Sequence, residues 1–263
     1  MKKQVLICIS YICAAGVLQA IPVADNFDDG VLDTSKWISL DKDGAFVTEA
    51  NGVVIFGTTD DTRPFLVTQG SWDPAVEGTL TVTGTVYIAA DEAMVVWTRS
   101  NGEYDSVGWP NNGGVIGSGL RFSFANNEYN VNIMTKEDSV GWNAISSMTK
   151  NIENLSVVPG DWYFTVTDNG SQVSIEVVNA ADPANYATAT ANTNFMPAVT
   201  SNKVVFGVSA GELDNITIAG EGDGDLTECI EWGYQISDLN KDCKVDLSDL
   251  VVFCSQWLNS TLP

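Results

Sequence analysis

Oxygen-bearing side chains recur at a regular spacing near the C-terminal end of the sequence. Between residues 238 and 249 they occupy the first, third, fifth, ninth and twelfth positions, as Asp238, Asn240, Asp242, Asp246 and Asp249. Lys244, at the seventh position, would supply its backbone carbonyl. Ca²⁺ takes six to eight oxygen ligands at about 2.3–2.6 Å, whereas Mg²⁺ prefers fewer protein oxygens and retains waters. The spacing therefore predicts a calcium loop of the EF-hand type, the alternative being an acidic turn that caps the next helix.

The residues after this loop predict a helix from Leu247 to Leu258. Loop and helix together resemble the dockerin type I repeat of cellulosome-type and planctomycete-like secreted proteins, in which Asp occupies the twelfth position. Cys243 stands where that repeat has Gly, and one full loop is present where cohesin-binding dockerins carry two. The resemblance implies Ca²⁺ as cofactor and a cohesin-like or surface protein as a partner of the tail.

The cysteines of the predicted mature chain all lie in this tail, at positions 229, 243 and 254. An exported module of about forty residues buries little core, so we expect a disulfide to stabilise it. The first choice is Cys229–Cys243, and Cys229–Cys254 is the alternative.

The sequence contains no histidine, which excludes Ser-His-Asp and Cys-His catalysis and histidine zinc sites. A hydrolase would have to use carboxylates. Glu103 and Asp105 come nearest to the Glu-x-Asp-x-x-Glu motif of family 16 glycoside hydrolases, but the third carboxylate is absent and Gly102 and Gly108 indicate a loop. We expect a non-catalytic protein, with a carboxylate-dependent glycoside hydrolase as an alternative.

From Phe27 to Ile218 the apolar residues follow a period of two. The stretch from Thr79 to Ile88 alternates apolar and polar residues, and the run from Trp162 to Val166 repeats the pattern. Such alternation is typical of half-buried strands, and Asp168-Asn169-Gly170 is a hairpin signal. The pattern predicts an all-β fold, a two-sheet antiparallel jelly-roll sandwich, followed by the small calcium-loop and helix module.

Two segments of this region carry a second resemblance. The segment from Asn26 to Trp37 resembles the opening strand of concanavalin A-like lectin/glucanase (LamG-type) domains, and that from Leu213 to Ile218 resembles their closing strand. The resemblance implies a jelly roll whose concave face binds glycans. It also implies a possible second metal ion that joins the opening and closing strands through Asp29 and Asp214.

Sugar binding requires aromatic faces and hydrogen-bonding groups side by side. Four residues are the candidates for ligand binding: Trp97, Arg99, Trp109 and Trp142. The first two share a predicted strand face, the third lies in a Gly-rich loop beside Pro110, and the last precedes Asn143. For each tryptophan the alternative is a place in the core.

The N-terminus combines Lys2 and Lys3 with an apolar stretch, which predicts a signal peptide over residues 1–20 and a secreted, extracellular or cell-surface protein. The dockerin-like resemblance of the tail implies a bacterial source. The sandwich would then span 21–220 and the dockerin-like tail 221–263. The net charge of −22 argues against nucleic acid as a partner. We expect no membrane insertion, because the sequence after residue 20 has no apolar run of membrane length. We expect a secreted module that binds a polysaccharide or oligosaccharide, the alternative being a structural or surface-attachment protein.

Overall fold

The computed structural model describes residues 23–41, 44–58, 64–72, 78–89, 93–100, 102, 119–125, 130–136, 143–145, 148–151, 155–156, 158–192, 202–209 and 211–220. Within these ranges every regular element is a β-strand. No helix in the described part of the chain is long and apolar enough to cross a membrane.

The strands of the described residues are β1 (Val23–Asp25), β2 (Trp37–Leu40), β3 (Phe46–Ala50), β4 (Val53–Gly57), β5 (Phe65–Thr68), β6 (Leu80–Ile88), β7 (Ala93–Ser100), β8 (Gly119–Ala125), β9 (Asn130–Lys136), β10 (Asn143–Ala144), β11 (Thr149–Asn151), β12 (Gly160–Asp168), β13 (Gln172–Asn179), β14 (Tyr186–Asn192), β15 (Lys203–Val208) and β16 (Glu212–Ala219). They form two antiparallel sheets. The larger sheet has the order β11-β14-β13-β12-β6-β16-β4-β3, and the smaller sheet has the order β10-β9-β8-β7-β15-β5-β2.

The first and last strands of the sandwich are paired with each other. β1 runs antiparallel to β16, with Val23 opposite Ile218 and Asp25 opposite Ile216. Strands that are far apart in sequence are therefore neighbours in the larger sheet, as the jelly-roll arrangement requires.

The period of two in the sequence becomes an inner and an outer face on each strand. Along β6, Val82 and Val86 are fully buried while the odd-numbered positions between them are partly exposed. Along β12, Phe164 faces inward in the same way and lies 6.4 Å, ring centre to ring centre, from Phe206 of the smaller sheet. The core is thus the layer between the two sheets, and each large apolar side chain buried there contributes about 1.5–3 kcal/mol.

Gly84 marks the point where this core comes closest to the backbone of β6. A Cβ atom at this position would lie 2.5 Å from Cδ1 of Ile216 and 2.9 Å from the ring of Phe164. Both side chains therefore occupy the volume that a larger residue would need, and glycine is required for packing rather than for a special backbone conformation.

The predicted all-β two-sheet antiparallel sandwich is confirmed by this architecture. The predicted hairpin is present as well: β12 and β13 pair from Asp168 opposite Val173, and Gly170 turns the chain with φ of 91°. The predicted signal peptide and the predicted C-terminal module lie outside the described residues.

Candidate functional site

Trp97, a predicted ligand-binding residue, is completely buried. Its ring packs edge-on against Phe65, with 5.3 Å between ring centres, in a small apolar cluster that also contains Val67 and Val205. A ring without exposed surface cannot stack on a sugar. The prediction of a sugar contact at Trp97 is therefore corrected to a packing role.

Arg99 is also buried, at 1% exposure. Its backbone has φ of 56°, a left-handed conformation that breaks the alternation of β7. The guanidinium pairs with the buried carboxylate of Asp168, where Nε donates to Oδ2 at 2.9 Å and Nη2 donates to Oδ1. Arg99 is thus committed to an internal ion pair, and its predicted role in ligand binding is corrected.

Several predicted sites lie outside the described residues. These are the ligand-binding candidates Trp109 and Trp142, the pair Glu103 and Asp105, the calcium-loop residues Asp238, Asn240, Asp242, Lys244, Asp246 and Asp249, and the cysteines Cys229, Cys243 and Cys254. They stay predictions from the sequence.

The proposed second metal ligands, Asp29 and Asp214, have separate surroundings. Asp29 accepts a hydrogen bond from the Val31 amide at 3.0 Å and shares a hydrogen bond with the carboxyl group of Glu49. Asp214 interacts instead with Asn215 and with the charge of Asp28. Among the described residues, no group of three or more His, Cys, Asp or Glu side chains is placed to hold a metal ion, so the structure gives this prediction no support.

An open cleft of about 400 Å³ lies on the outer face of the larger sheet, where β16, β6 and β12 run side by side. We call the polar and aromatic part of its lining the tyrosine patch. It consists of Thr85, Tyr87, Asp161, Tyr163, Glu212, Asp214 and Asn215. The volume is within the range of about 300–1,000 Å³ that is usual for small-molecule sites.

The patch has two rows of side chains across the three strands. In the first row, Tyr87 lies directly between Glu212 of β16 and Asp161 of β12. Directly opposed residues in an antiparallel pair hold their Cβ atoms about 4.5–5.5 Å apart. The phenol of Tyr87, which is 40% exposed, is therefore flanked by a carboxylate on each side.

In the second row, Thr85 lies between Asp214 of β16 and Tyr163 of β12. Tyr163 is 55% exposed. Because it lies one row away from Tyr87 and on the neighbouring strand, the two rings are diagonal neighbours across the strand pair. The patch thus presents two partly exposed aromatic surfaces next to carboxylate groups.

A bulge in β16 shapes one edge of the patch. The register with β6 shifts between Asp214 and Thr217, and Asn215 adopts φ of 51° at the shift. Such a bulge adds a residue to one strand and redirects its side chains. As a result the consecutive residues Asp214 and Asn215 both reach the outer face, and the Asn215 amide group donates to Asp214 Oδ2 at 2.7 Å while its backbone N–H donates to Oδ1 at 2.7 Å.

The carboxylates of the patch influence one another. Partial burial raises the pKa of Asp214, and the negative charges of Asp28 and Asp161 raise it further, although the hydrogen bond from the backbone N–H of Asn215 opposes the shift. Asp214 therefore holds its proton at a higher pH than an ordinary aspartate does.

The other polar groups of the patch are open to a ligand. Within the described residues, no hydrogen bond occupies the side chains of Tyr87, Asp161, Tyr163 or Glu212. A second cleft of about 550 Å³ differs in this respect. There, the Asn185 side chain hydrogen-bonds the backbone of Ser156 at 2.7 and 2.8 Å, and the side-chain Oδ1 of Asn179 accepts from the backbone N–H groups of Ala181 and Asp182. Its amides are already used to hold loops, so the tyrosine patch is the stronger candidate.

The sequence analysis did not predict this patch, because its aromatic candidates for ligand binding were all tryptophans. The signal was present in the strand alternation: Tyr87 falls in the outward register of the stretch from Thr79 to Ile88, and Tyr163 lies between the inward-facing Trp162 and Phe164. Aromatic residues in the solvent-facing register of two paired strands are the pattern that indicates this patch.

No protein-family model and no curated protein sequence matches the chain. Among solved structures, the chain is similar to metal-free lectin I-B4 from Griffonia simplicifolia, with a TM-score of 0.49, 9% identity, and coverage of 76% of this chain and 99% of that chain. It is similar to lectin II from Ulex europaeus, with a TM-score of 0.47, 10% identity, and coverage of 76% and 98%.

A Bacillus subtilis protein of unknown function with a galectin-like fold is also similar, with a TM-score of 0.43, 11% identity, and coverage of 70% of this chain and 89% of that chain. At identities of 9–11%, the ligand of none of these proteins is assigned to this chain. The site is derived from this chain's own residues.

Proposed function

We propose that this chain is a non-catalytic carbohydrate-binding protein whose binding site is the tyrosine patch. The observation that carries the proposal is the placement of two partly exposed tyrosine rings beside three carboxylates on adjacent strands of one sheet face. Sugars present flat C–H faces that pack on aromatic rings, and their hydroxyl groups donate hydrogen bonds to carboxylate oxygens. The patch supplies both kinds of contact within one cleft.

The framework of the patch favours binding because it is held by paired backbone. Tyr87 and Tyr163 lie within β6 and β12, which are paired with each other along their whole length. Their positions are thus fixed before a ligand arrives, which reduces the entropy lost on binding.

The charge of the site restricts the ligand class. Asp161, Glu212 and Asp214 line the cleft, and its described lining contains no lysine or arginine. In a chain with a net charge of −22, a sulfated or uronic-acid glycan would be repelled. The proposed ligand is accordingly a glycan without acidic groups.

The test uses residues 21–263, the chain without its predicted signal peptide, on a glycan array and then in titration calorimetry with the best ligand found. We expect Tyr87→Ala and Tyr163→Ala each to weaken binding by about tenfold or more, because aromatic contacts dominate such sites. Phe46→Ala is the matched control, since Phe46 is an exposed aromatic residue on β3 of the same sheet. Absence of binding to every glycan, or equal binding by all three variants, would refute the proposal.

A carboxylate-dependent glycoside hydrolase is the alternative that one observation favours. Glu212 and Asp214 lie two residues apart on the outer face of β16, a spacing of about 6.8 Å along a strand, within the separation that inverting hydrolysis uses. The raised pKa of Asp214 also suits a general acid. Release of reducing sugar by the wild type, abolished in Asp214→Asn, would replace the binding proposal by this one.

We further propose that the protein is exported and that its tail binds Ca²⁺ through the loop from Asp238 to Asp249. The support is the spacing of oxygen-bearing side chains in the sequence. Recognition of the tail by a cohesin-like or surface protein belongs to the same proposal and would attach the sugar-binding sandwich to a larger assembly.

A further inference from the structure

The outer face of the larger sheet continues beyond the tyrosine patch as two rows of hydroxyl groups. We call this surface the hydroxyl rows. It consists of Thr81, Thr83, Thr149, Thr165, Thr167, Ser174, Thr188, Thr190 and Thr217, together with Glu176, which lies between Thr165 and Thr188. All of these residues lie at outward positions of β6, β11, β12, β13, β14 and β16.

The strand register aligns these hydroxyl groups. In the row farther from the patch, Thr81 is opposite Thr167, Thr167 is opposite Ser174, and Ser174 is opposite Thr190. Thr190 is in turn opposite Thr149. This row therefore crosses five strands without interruption, a width of about 20 Å at about 4.8 Å per strand.

The row nearer to the patch is aligned in the same way. Thr217 is opposite Thr83, and Thr83 is opposite Thr165. Thr165 is opposite Glu176, which is in turn opposite Thr188. Neighbouring rows on one sheet face are about 6.8 Å apart, so the surface is a grid with a fixed spacing in both directions.

The hydroxyl rows are continuous with the patch along the strands. On β6, Thr85 of the patch is followed on the same face by Thr83 and Thr81, and on β12, Tyr163 is followed by Thr165 and Thr167. A chain molecule that contacts the tyrosine rings and follows the strand direction would pass directly over both rows.

The charge of this surface also limits its partner. The acids of the outer face are concentrated in the patch, and Glu176 is the one ionisable side chain among the described members of the two rows. In a chain with a net charge of −22, a largely neutral hydroxyl surface of this size fits a partner that is itself neutral and rich in hydroxyl groups. A hydroxyl can both donate and accept a hydrogen bond, and the β-branched threonine side chain is stiff, so little ordering is needed on contact.

We infer that the hydroxyl rows extend the proposed glycan site, and that its ligand is a long, neutral polysaccharide rather than a short sugar end. This inference rests on the proposed function of the tyrosine patch. A second copy of the chain is a poorer occupant of the same face, because a two-fold contact would bring the carboxylates of Asp161, Glu176, Glu212 and Asp214 towards their own copies.

The test compares the binding of a polymer with that of a short sugar, and uses residues 21–263, the chain without its predicted signal peptide. The probes are insoluble cellulose, chitin and β-1,3-glucan, each with its own soluble disaccharide. In the double variant Thr83→Val with Thr165→Val, which keeps the side-chain shape and the strand preference, we expect polymer affinity to fall about tenfold while disaccharide affinity is unchanged. Thr165→Glu should reduce polymer binding further. Thr48→Val and Thr48→Glu on β3 are the matched controls, since Thr48 is exposed on the same sheet.

The outcomes separate the two proposals. If the wild type binds polymer and disaccharide equally well, or if the threonine variants bind polymer as the wild type does while Tyr163→Ala loses both ligands, the hydroxyl rows have no role and the patch alone is the site. If the wild type binds neither ligand from any of the three polysaccharides, both proposals fail. A concentration-dependent dimer in sedimentation velocity that Thr165→Glu dissociates would assign the surface to a second copy and overturn the inference.

Discussion

Arg99 of the smaller sheet and Asp168 of the larger sheet form a buried ion pair that joins the two sheets through the interior of the sandwich. The carboxylate also accepts a hydrogen bond from the Thr98 hydroxyl at 2.8 Å and one from the Gly170 amide at 3.0 Å. Four donors therefore satisfy one buried carboxylate. Both strands would have to shift to separate these groups.

Removal of one partner of this ion pair should strongly reduce the stability of the fold. We expect Asp168→Ala to lower the free energy of unfolding by about 3–5 kcal/mol, because it leaves the Arg99 guanidinium buried without its counter-charge. Urea unfolding measures the loss. The double variant Arg99→Met with Asp168→Leu should lose less than Asp168→Ala alone, and a larger loss in the double variant would contradict this account.

The stability of the fold should depend on the protonation of Glu49. This residue is buried on β3 and accepts a hydrogen bond from the Gly30 amide at 2.7 Å. Burial raises its pKa, the Gly30 hydrogen bond opposes the shift, and the hydrogen bond and negative charge of Asp29 raise the pKa further. The protonated form of Glu49 therefore stabilises the native state. This stabilisation is fully present at a pH below the ordinary pKa of 4.5, and it is lost as the pH rises through the raised pKa.

Glu49→Gln should remove this dependence, since glutamine keeps an acceptor for Gly30 and cannot ionise. We expect the variant to be more stable than the wild type at pH 7. Below about pH 4, where Glu49 is protonated in both the folded and the unfolded wild type, the two proteins should have nearly the same stability. Thermal unfolding at a series of pH values measures the difference. Glu176→Gln, an exposed change on β13, is the control, and an equal gain there would show that the effect comes from net charge alone.

As the pH is lowered, glycan binding should weaken at a higher pH than the ordinary pKa of an aspartate predicts. Because burial and the charges of Asp28 and Asp161 raise the pKa of Asp214, this group loses its charge at a pH above its ordinary 3.8. A sugar hydroxyl that donates to the carboxylate is then deprived of an ionised acceptor. Glycan affinity measured at a series of pH values below 7 should show this loss in the wild type. Asp214→Asn should bind more weakly at pH 7 but should not show the loss that comes from protonation of Asp214.

Gly84 should tolerate no larger side chain. The positions of Ile216 and Phe164 leave no space for a methyl group, so we expect Gly84→Ala to destabilise the fold by about 1–3 kcal/mol through overpacking. Urea unfolding measures this change as well. Thr83→Ala, at the neighbouring outward position of β6, should cost less, and equal losses in the two variants would exclude overpacking as the cause.

Addition of Ca²⁺ should release or absorb heat with the full chain. In titration calorimetry we expect one binding event, which is abolished in the double variant Asp238→Ala with Asp242→Ala because two of the predicted ligands are then lost. The signal should persist in Asp214→Asn. Equal heat in the double variant would place the ion elsewhere, and no heat in the wild type would disprove the calcium loop.

The sequence was sufficient to predict the fold because alternation is a local property. The residues from Thr79 to Ile88 carry their inner and outer faces in the order of the amino acids, and the structure keeps that order along β6. The same reasoning predicted the hairpin at Asn169, because its turn residues determine the pairing of β12 with β13.

The site was harder to predict because it depends on which strands become neighbours. Tyr87, Tyr163 and Asp214 are far apart in the chain and meet only because β6 pairs with both β12 and β16. Arg99 was misassigned for a related reason. A strand with regular alternation would place it on the same face as Trp97, but its left-handed backbone turns the side chain towards Asp168, and no local pattern predicts that conformation for an arginine.

The pairing of β1 with β16 means that the polypeptide enters and leaves the sandwich at neighbouring places. A short linker could therefore join the two ends, and new termini could be opened at the hairpin around Gly170, without a change in any strand pairing. The sandwich therefore has the connectivity that circular permutation and domain insertion require, with both of its ends at one place.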